Sequence, residues 1–231
     1  MSTPAQDSQA QPAAISFASG IYAFNKPPGW SSFDVVKWVK CRSATKKVGH
    51  AGTLDPAAEG LLLVAVGREY TRDIEKLAAQ DKEYIGEITF GTVTDTGDRE
   101  GKIISQQKVS IEKTKLQAVL KEFLGKQLQT PPMYSALKVG GRPLYQLARQ
   151  GLEIERQPRE IEIKELELRE FRPPDKASLR VVCSKGTYIR TLCYNIGEKM
   201  GTGAYMSRLT RTRIGDYKLD EKCLQPQGTR K

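Results

Sequence analysis

Hydrophobic positions change period several times along this chain, and each change marks an element. Ile21–Phe24 is a short apolar run closed by the turn cluster Asn25-Lys26-Pro27-Pro28-Gly29, which predicts a buried strand ending there. Ser31 or Ser32 then caps a helix whose apolar side carries Phe33, Val36 and Val39 as far as about Cys41. After the glycine-bearing segment Gly49–Gly60, Leu61–Val66 reads as an apolar strand, and Arg72–Ala79 suggests a short helix. Lys82–Phe90 alternates, with Tyr84 on one side and Ile85 on the other, as a strand does. Thr92–Gly101 is a Gly/Asp/Thr loop. Leu116, Val119, Leu120, Phe123 and Leu124 recur at helical spacing, with Gly125 as the stop, and the proline-rich Thr130–Met133 blocks continuation. Leu144–Arg149 looks helical, Ile161–Leu168 and Leu179–Cys183 look like strands, and Ile189, Leu192, Cys193, Ile196 and Met200 mark a last helix. Strands and helices mix without strict βαβ alternation and without a repeat. The expected class is therefore α+β, with a central, largely antiparallel mixed sheet flanked by helices and loops.

Composition narrows the setting. A chain of 231 residues, 39% hydrophobic and 28% charged, is long enough to bury its own core in one or two domains. Met1–Gly20 is rich in Ser, Gln, Ala and Pro without periodicity and is read as a disordered tail. It lacks the basic start and apolar stretch of a secretory signal and contains Asp7 but no Arg, unlike a transit peptide. With no apolar run near the roughly 18 residues of a spanning helix, a cytoplasmic location is expected. Cys41, Cys183, Cys193 and Cys223 form no C-x-x-C pair and have only His50 as an imidazole companion, so reduced thiols are expected and a zinc site is not. The formal net charge is +10, and residues 176–231 alone hold twelve Lys/Arg against four Asp/Glu. Such an excess attracts a polyanion by counterion release, which makes nucleic acid the leading partner class; a merely solvated basic face is the competing reading, and charge alone does not choose between them.

The sequence contains neither a P-loop nor a G-x-G-x-x-G after a strand, and its single histidine is joined by no G-x-S-x-G elbow. Nucleotide hydrolysis, hydride transfer and triad-type acyl transfer therefore lose their best support. Three segments remain. In Gly49-His50-Ala51-Gly52-Thr53-Leu54-Asp55-Pro56, glycines allow close backbone approach while Pro56 holds Asp55 extended. Asp55 is then either a group presented from a shaped loop or the cap of a short helix beginning at Pro56. Glu59, four residues on, is poorly placed to act with it as a glycosidase-like carboxylate pair. Ser184-Lys185-Gly186-Thr187-Tyr188-Ile189-Arg190-Thr191 turns a strand end into a helix. Arg190 there is a surface ion-pair residue or, if it meets Asp55, the cation that keeps a partly buried carboxylate ionised. Met133–Tyr145 interleaves aromatic, basic and glycine residues, which suits RNA contacts or a plain surface hairpin.

Taken together and in order, these segments, with Lys26-Pro27-Pro28-Gly29, Ser31-Ser32, Asp81-Lys82-Glu83-Tyr84 and Gly203-Ala204 through Leu209, resemble the TruB family of tRNA pseudouridine synthases. The resemblance runs from about Ile21 to Tyr217. It implies the pseudouridine synthase fold over residues 21–217, followed by a basic tail over 218–231. It also implies isomerisation of the T-loop uridine of tRNA, position 55, without cofactor or metal, by a monomer acting on the T-stem-loop. By the same resemblance Asp55 is the catalytic nucleophile, Arg190 its partner and Tyr84 the stacking aromatic. His50 fills the space left by the extruded base, and Lys26, Tyr188 and Leu209 take further pocket positions. Ala51 stands where the family generally has Thr, and Ala58-Glu59 replaces Ala-Thr. Many relatives carry a C-terminal RNA-binding domain of the PUA type; a catalytic domain alone is expected here, leaning on its basic C-terminal third. The competing expectations are a tRNA-folding helper and a basic RNA-binding module that use the same surface without turnover.

Overall fold

The computed structural model describes residues 15–227. In chain order these form β1 (Gly20–Lys26), α1 (Ser32–Lys40), β2 (Val48–His50), β3 (Glu59–Val66), α2 (Arg68–Thr71), α3 (Ile74–Ala79), β4 (Lys82–Phe90), β5 (Thr92–Thr94), β6 (Ile103–Gln106) and α4 (Lys113–Lys121). They continue with β7 (Gly125–Gln129), β8 (Lys138–Val139), β9 (Arg142–Pro143), α5 (Leu144–Ala148), β10 (Arg159–Arg172), β11 (Lys176–Cys183), α6 (Ile189–Met200), β12 (Ala204–Ile214) and β13 (Tyr217–Lys218). Among these residues one sheet runs β1-β3-β12-β4-β11-β10-β7, with β2 added to β3 and β13 to β12. Its pairings are antiparallel except β3 with β12. The α+β architecture with a largely antiparallel mixed sheet is thus as expected.

The unbroken apolar run of β3 has a direct physical cause. Leu62, Val64 and Val66 pack with Phe17, Phe24, Val35 and Val39 on one face. Leu61 and Leu63 pack with Ala51, Ile214 and Cys223 on the other. A strand covered on both faces loses its alternation. Across the sheet, α4 and α6 close a larger core around Ile88, Leu116, Leu179 and Ile196. At Gly60 the parallel partner comes close: a Cβ there would lie 2.4 Å from the Arg211 carbonyl oxygen, and φ is +103°. Gly60→Ala is expected to cost about 1–3 kcal/mol from backbone strain alone, read as a lower denaturation midpoint at unchanged m-value. An unchanged midpoint would remove this account of the β3–β12 crossing.

Several expectations change. Phe33 is not on the buried side of α1 but 54% exposed. The buried stripe is Ser32, Val35, Val36 and Val39, because Ser31 forms the capping box and Ser32 turns inward. The helix expected over residues 72–79 is present as α3 from Ile74, and a separate short helix, α2, precedes it. The Thr92–Gly101 loop begins with a strand that pairs with β6. Gly125 does not stop α4, whose C-cap is Glu122, but opens β7 at φ +89°. Both tail boundaries move outward. Phe17 is buried and bridges Ser43, and β1 already begins at Gly20. At the other end, Lys218 lies in β13, Leu224 bridges Phe24, and Trp38 Nε1 donates to the Gln227 carbonyl. The remainder of each expected tail, residues 1–14 and 228–231, lies outside the described residues. Cys183, Cys193 and Cys223 are buried free thiols and Cys41 is exposed. No helix among the described residues is long and apolar enough to cross a membrane.

Candidate active site

Asp55 lies in the loop between β2 and β3, an antiparallel hairpin registered by Gly49 opposite Ala65 and His50 opposite Val64. That loop is fastened on both sides of the aspartate. Before it, Ser32 Oγ accepts from the Leu54 amide at 2.8 Å and donates to the Leu54 carbonyl at 3.1 Å. After it, the Pro56 carbonyl accepts from the Gly29 amide at 2.7 Å and from Lys26 Nζ at 3.4 Å. The Ala58 amide donates back to the Asp55 carbonyl at 3.1 Å, which closes a turn rather than a helix. The helix-cap alternative for Asp55 is therefore set aside. The Lys-Pro-Pro-Gly turn and Ser32 hold the loop through specific hydrogen bonds while Ser31 caps α1, which accounts for their company in the sequence.

Arg190 reaches Asp55 from the first turn of α6. Its Nε donates to Asp55 Oδ2 at 2.9 Å, Nη1 to the Thr96 carbonyl at 2.9 Å and Nη2 to the Tyr134 carbonyl at 2.7 Å. Only 4% of the Arg190 side chain is exposed, against 36% of Asp55. The contact with the carboxylate is single, and the rest of the fork ties down two loops. Asp98 stands on the other side, its Oδ2 3.6 Å from the same Nε. Burial pushes the Asp55 carboxyl above the usual carboxylate range. The Arg190 charge and hydrogen bond pull it down, and Asp98 pushes it up again. The outcome is a poorly solvated carboxylate, oriented by a guanidinium and more basic than a surface aspartate.

Beside this pair is a cavity of about 270 Å³. Asp55, Tyr84, Tyr188, Arg190 and Leu209 all line it, so five of the seven candidate residues converge. Sheet register explains the convergence. On β4, Lys82 and Tyr84 share a face, Arg211 of β12 is opposite Tyr84, and Leu209 is opposite Gly86. Tyr188 is the N-cap residue of α6. His50 lies elsewhere, in an adjoining open cleft of about 510 Å³ shared with Asp55, Phe33, Tyr134 and Tyr145. Burial and the Arg211 charge lower its pKa, so its ring is neutral at pH 7. Lys26 is fully buried beneath the loop and meets carbonyls of Pro27, Trp30 and Pro56. Glu59 is occupied by Arg208 at 2.6 Å and Thr210 at 3.0 Å and plays no part beside Asp55.

Four further residues matter that the sequence did not single out. Arg211, 1% exposed, donates from Nε to the Leu61 carbonyl at 2.8 Å and from Nη2 to the Gly52 carbonyl at 3.0 Å, clamping both arms of the hairpin. Gln129 exchanges two hydrogen bonds with the Tyr188 backbone and fixes the start of α6. Asp98 and Lys82 complete the charged surroundings. An aspartate in a Gly/Asp/Thr loop was the available signal for Asp98; a lone Gln has none.

A family model described as the TruB family pseudouridylate synthase N-terminal domain matches residues 40–189. A tRNA pseudouridylate synthase B C-terminal domain model matches residues 190–226. The chain is 46% identical over 209 residues to a tRNA pseudouridine synthase B of Protochlamydia amoebophila, covering 90% of this chain and 79% of that protein. It is 50% identical over 206 residues to one of Syntrophomonas wolfei, covering 87% and 69%. Among solved structures, a Cbf5–Nop10–Gar1 complex matches with TM-score 0.69 and 33% identity, over 89% of this chain and 52% of that one. The chain thus spans about half the length of that solved relative.

Proposed function

Because the chain belongs to the TruB family of pseudouridylate synthases, we propose that it isomerises uridine to pseudouridine in tRNA, acting on the T-loop uridine at position 55 with Asp55 as nucleophile. The observation that carries the mechanism is the Asp55–Arg190 pair, 2.9 Å apart, at the edge of a cavity with an aromatic wall. A uridine within a folded loop must leave the stack before a carboxylate can reach it, at a cost of a few kcal/mol. Stacking on Tyr84, between Leu209 and Tyr188, offsets about 1–3 kcal/mol of that. Asp55 then attacks C1' of the ribose or C6 of the uracil, and Arg190 holds the attacking oxygen in line. The C1'–N1 bond breaks, the base turns within the cavity, and C5 bonds to C1'; the bond to Asp55 is released, C5 gives up its proton and N1 takes one up, which restores the carboxylate and balances the isomerisation. Retaining the base and excluding water matter as much as the nucleophile. His50, uncharged, borders the cleft from which the base has been drawn. An exposed aromatic and a half-buried one, each paired with a cation, supply further RNA contacts: Lys37 lies 5.2 Å above Phe33, and Arg149 5.6 Å above Tyr145.

The direct test is incubation with an unmodified tRNA transcript and mapping of pseudouridine by chemical labelling, with product expected at position 55. The protein is expected to act as a cytoplasmic monomer whose recognition is confined to the T-stem-loop. An isolated T-arm hairpin should then react nearly as fast as full tRNA. Its affinity should fall on the order of tenfold or more for a fourfold rise in salt, as several phosphate contacts demand. A hairpin slower by orders of magnitude would place the decisive contacts outside the T-arm.

A further inference from the structure

Four cations are nearly or fully buried around the Asp55 loop: Lys26, Lys82, Arg190 and Arg211. Three have roles already described, as clamps on the loop or as the partner of Asp55. Lys82 does not fit that pattern. Its ammonium donates to the Ala78 and Gln80 carbonyls at the end of α3, the latter at 2.6 Å, which uses two of its three protons. Among the described residues no carboxylate forms an ion pair with it; the adjacent Asp81 is engaged by Lys164 at 2.6 Å. Lysines are rarely this buried unless paired, and a helix end can be closed by an exposed lysine without the desolvation cost.

What Lys82 borders is the cavity beside Asp55. It is two residues from Tyr84 on the same face of β4, and its Cε lies 3.9 Å from where a Cβ on Gly52 would stand. A positive charge without a counter-anion thus faces the space in which, on the proposed reading, a uracil is held and turned. That uracil becomes anionic by either route. Attack at C1' forms the Asp55–C1' bond and breaks C1'–N1, leaving the bonding pair on the ring, shared by N1, O2 and O4. Attack at C6 forms the Asp55–C6 bond and moves the C5=C6 pair toward C4 and O4. In both cases O4 gains negative charge.

We propose that Lys82 is a catalytic residue whose ammonium donates a hydrogen bond to O4 of the flipped uracil and stabilises the charge that develops there. The interaction strengthens only as the bond to the base rearranges, so it belongs to the transition state more than to tRNA binding. The inference rests on the proposed uridine isomerisation. The groups facing Lys82 are Arg211 on β12, Cys183 on β11, Asp81 beside it and Lys185 in the loop after β11. Burial, followed by the Arg211 charge, lowers the Lys82 ammonium to about 8, while burial lifts the Cys183 thiol to about 11. Lys82 is charged below its pKa and neutral above it, so the rate should fall as pH rises through about 8.

The test is single-turnover kinetics on a T-arm hairpin with wild type, Lys82→Met and Lys82→Arg. Wild type should show a basic limb near pH 8. Lys82→Met should react about 100-fold or more slowly at pH 7 with hairpin affinity within about threefold, and the limb should disappear. Lys82→Arg should recover part of the rate and move the limb upward. If Lys82 only fastens α3, Lys82→Met will melt earlier but keep a rate within about threefold and the same limb, which overturns the inference. A wild-type profile flat between pH 7 and 9.5 overturns it without any variant. Wild type inactive on both hairpin and tRNA overturns the parent reading together with this one, whereas active wild type with an active Lys82→Met overturns this one alone.

Discussion

Asp55→Asn and Asp55→Ala are expected to abolish pseudouridine formation while tRNA affinity changes by less than about tenfold, or roughly 1.4 kcal/mol. Asn matches Asp in shape, so the Ser32 and Gly29 fastenings on either side of position 55, which use neighbouring backbone, should survive. What is lost is the anion. Because burial raises the Asp55 carboxyl above the usual range, wild-type activity should decline on acidification while most surface carboxylates are still ionised. Turnover by contamination-free Asp55→Asn would remove the nucleophile assignment. The same variant separates enzyme from helper, since a tRNA-folding helper or simple binding module would keep its function with Asn in place.

Arg190→Lys should lower the rate by about 100-fold or more although the charge is kept. A lysine can approach Asp55 but cannot also serve the Thr96 and Tyr134 carbonyls, which lie on separate loops. Two charge-assisted hydrogen bonds at about 1.5 kcal/mol each correspond to about two orders of magnitude if both serve to place the carboxylate. A single prong meets Asp55, and the fork acts as a junction. Arg190→Gln removes the charge between Asp55 and Asp98, so the acid limb of the rate should move to higher pH as the two carboxylates confront each other. A Lys variant within threefold of wild type would show that the loop ties are dispensable.

Where local pattern and burial agree, the sequence was a good guide. The α6 stripe, the alternation of β4 and the apolar run of β3 could be read because each side chain reports the face it occupies. β12 escaped notice for two physical reasons. Register shifts between Met206 and Arg208, and again between Arg211 and Arg213, break the two-residue period. Its largest buried side chain is also an arginine, and a buried Arg looks like a surface residue until the carbonyls that receive it are known. Phe33 misled in the opposite sense: an aromatic at helical spacing was assigned to the core, yet the inward place belongs to Ser32. Asp55 and Arg190 emerged from motif resemblance and not from periodicity. Their meeting depends on contacts between distant parts of the chain, which no local pattern encodes.

The fastening of the β2–β3 loop also bears on how the protein comes into being. The hairpin carrying Asp55 is complete in sequence by residue 66, but Arg190 and Arg211 belong to elements synthesised long afterwards; the bond from Arg211 to Leu61 spans 150 residues. A growing chain therefore displays its aspartate well before it can aim it. On the proposed reading, reactivity waits until β12 enters the sheet beside β3, so a nascent or truncated polypeptide would leave RNA unaltered. Completion of the fold and competence for chemistry become a single event.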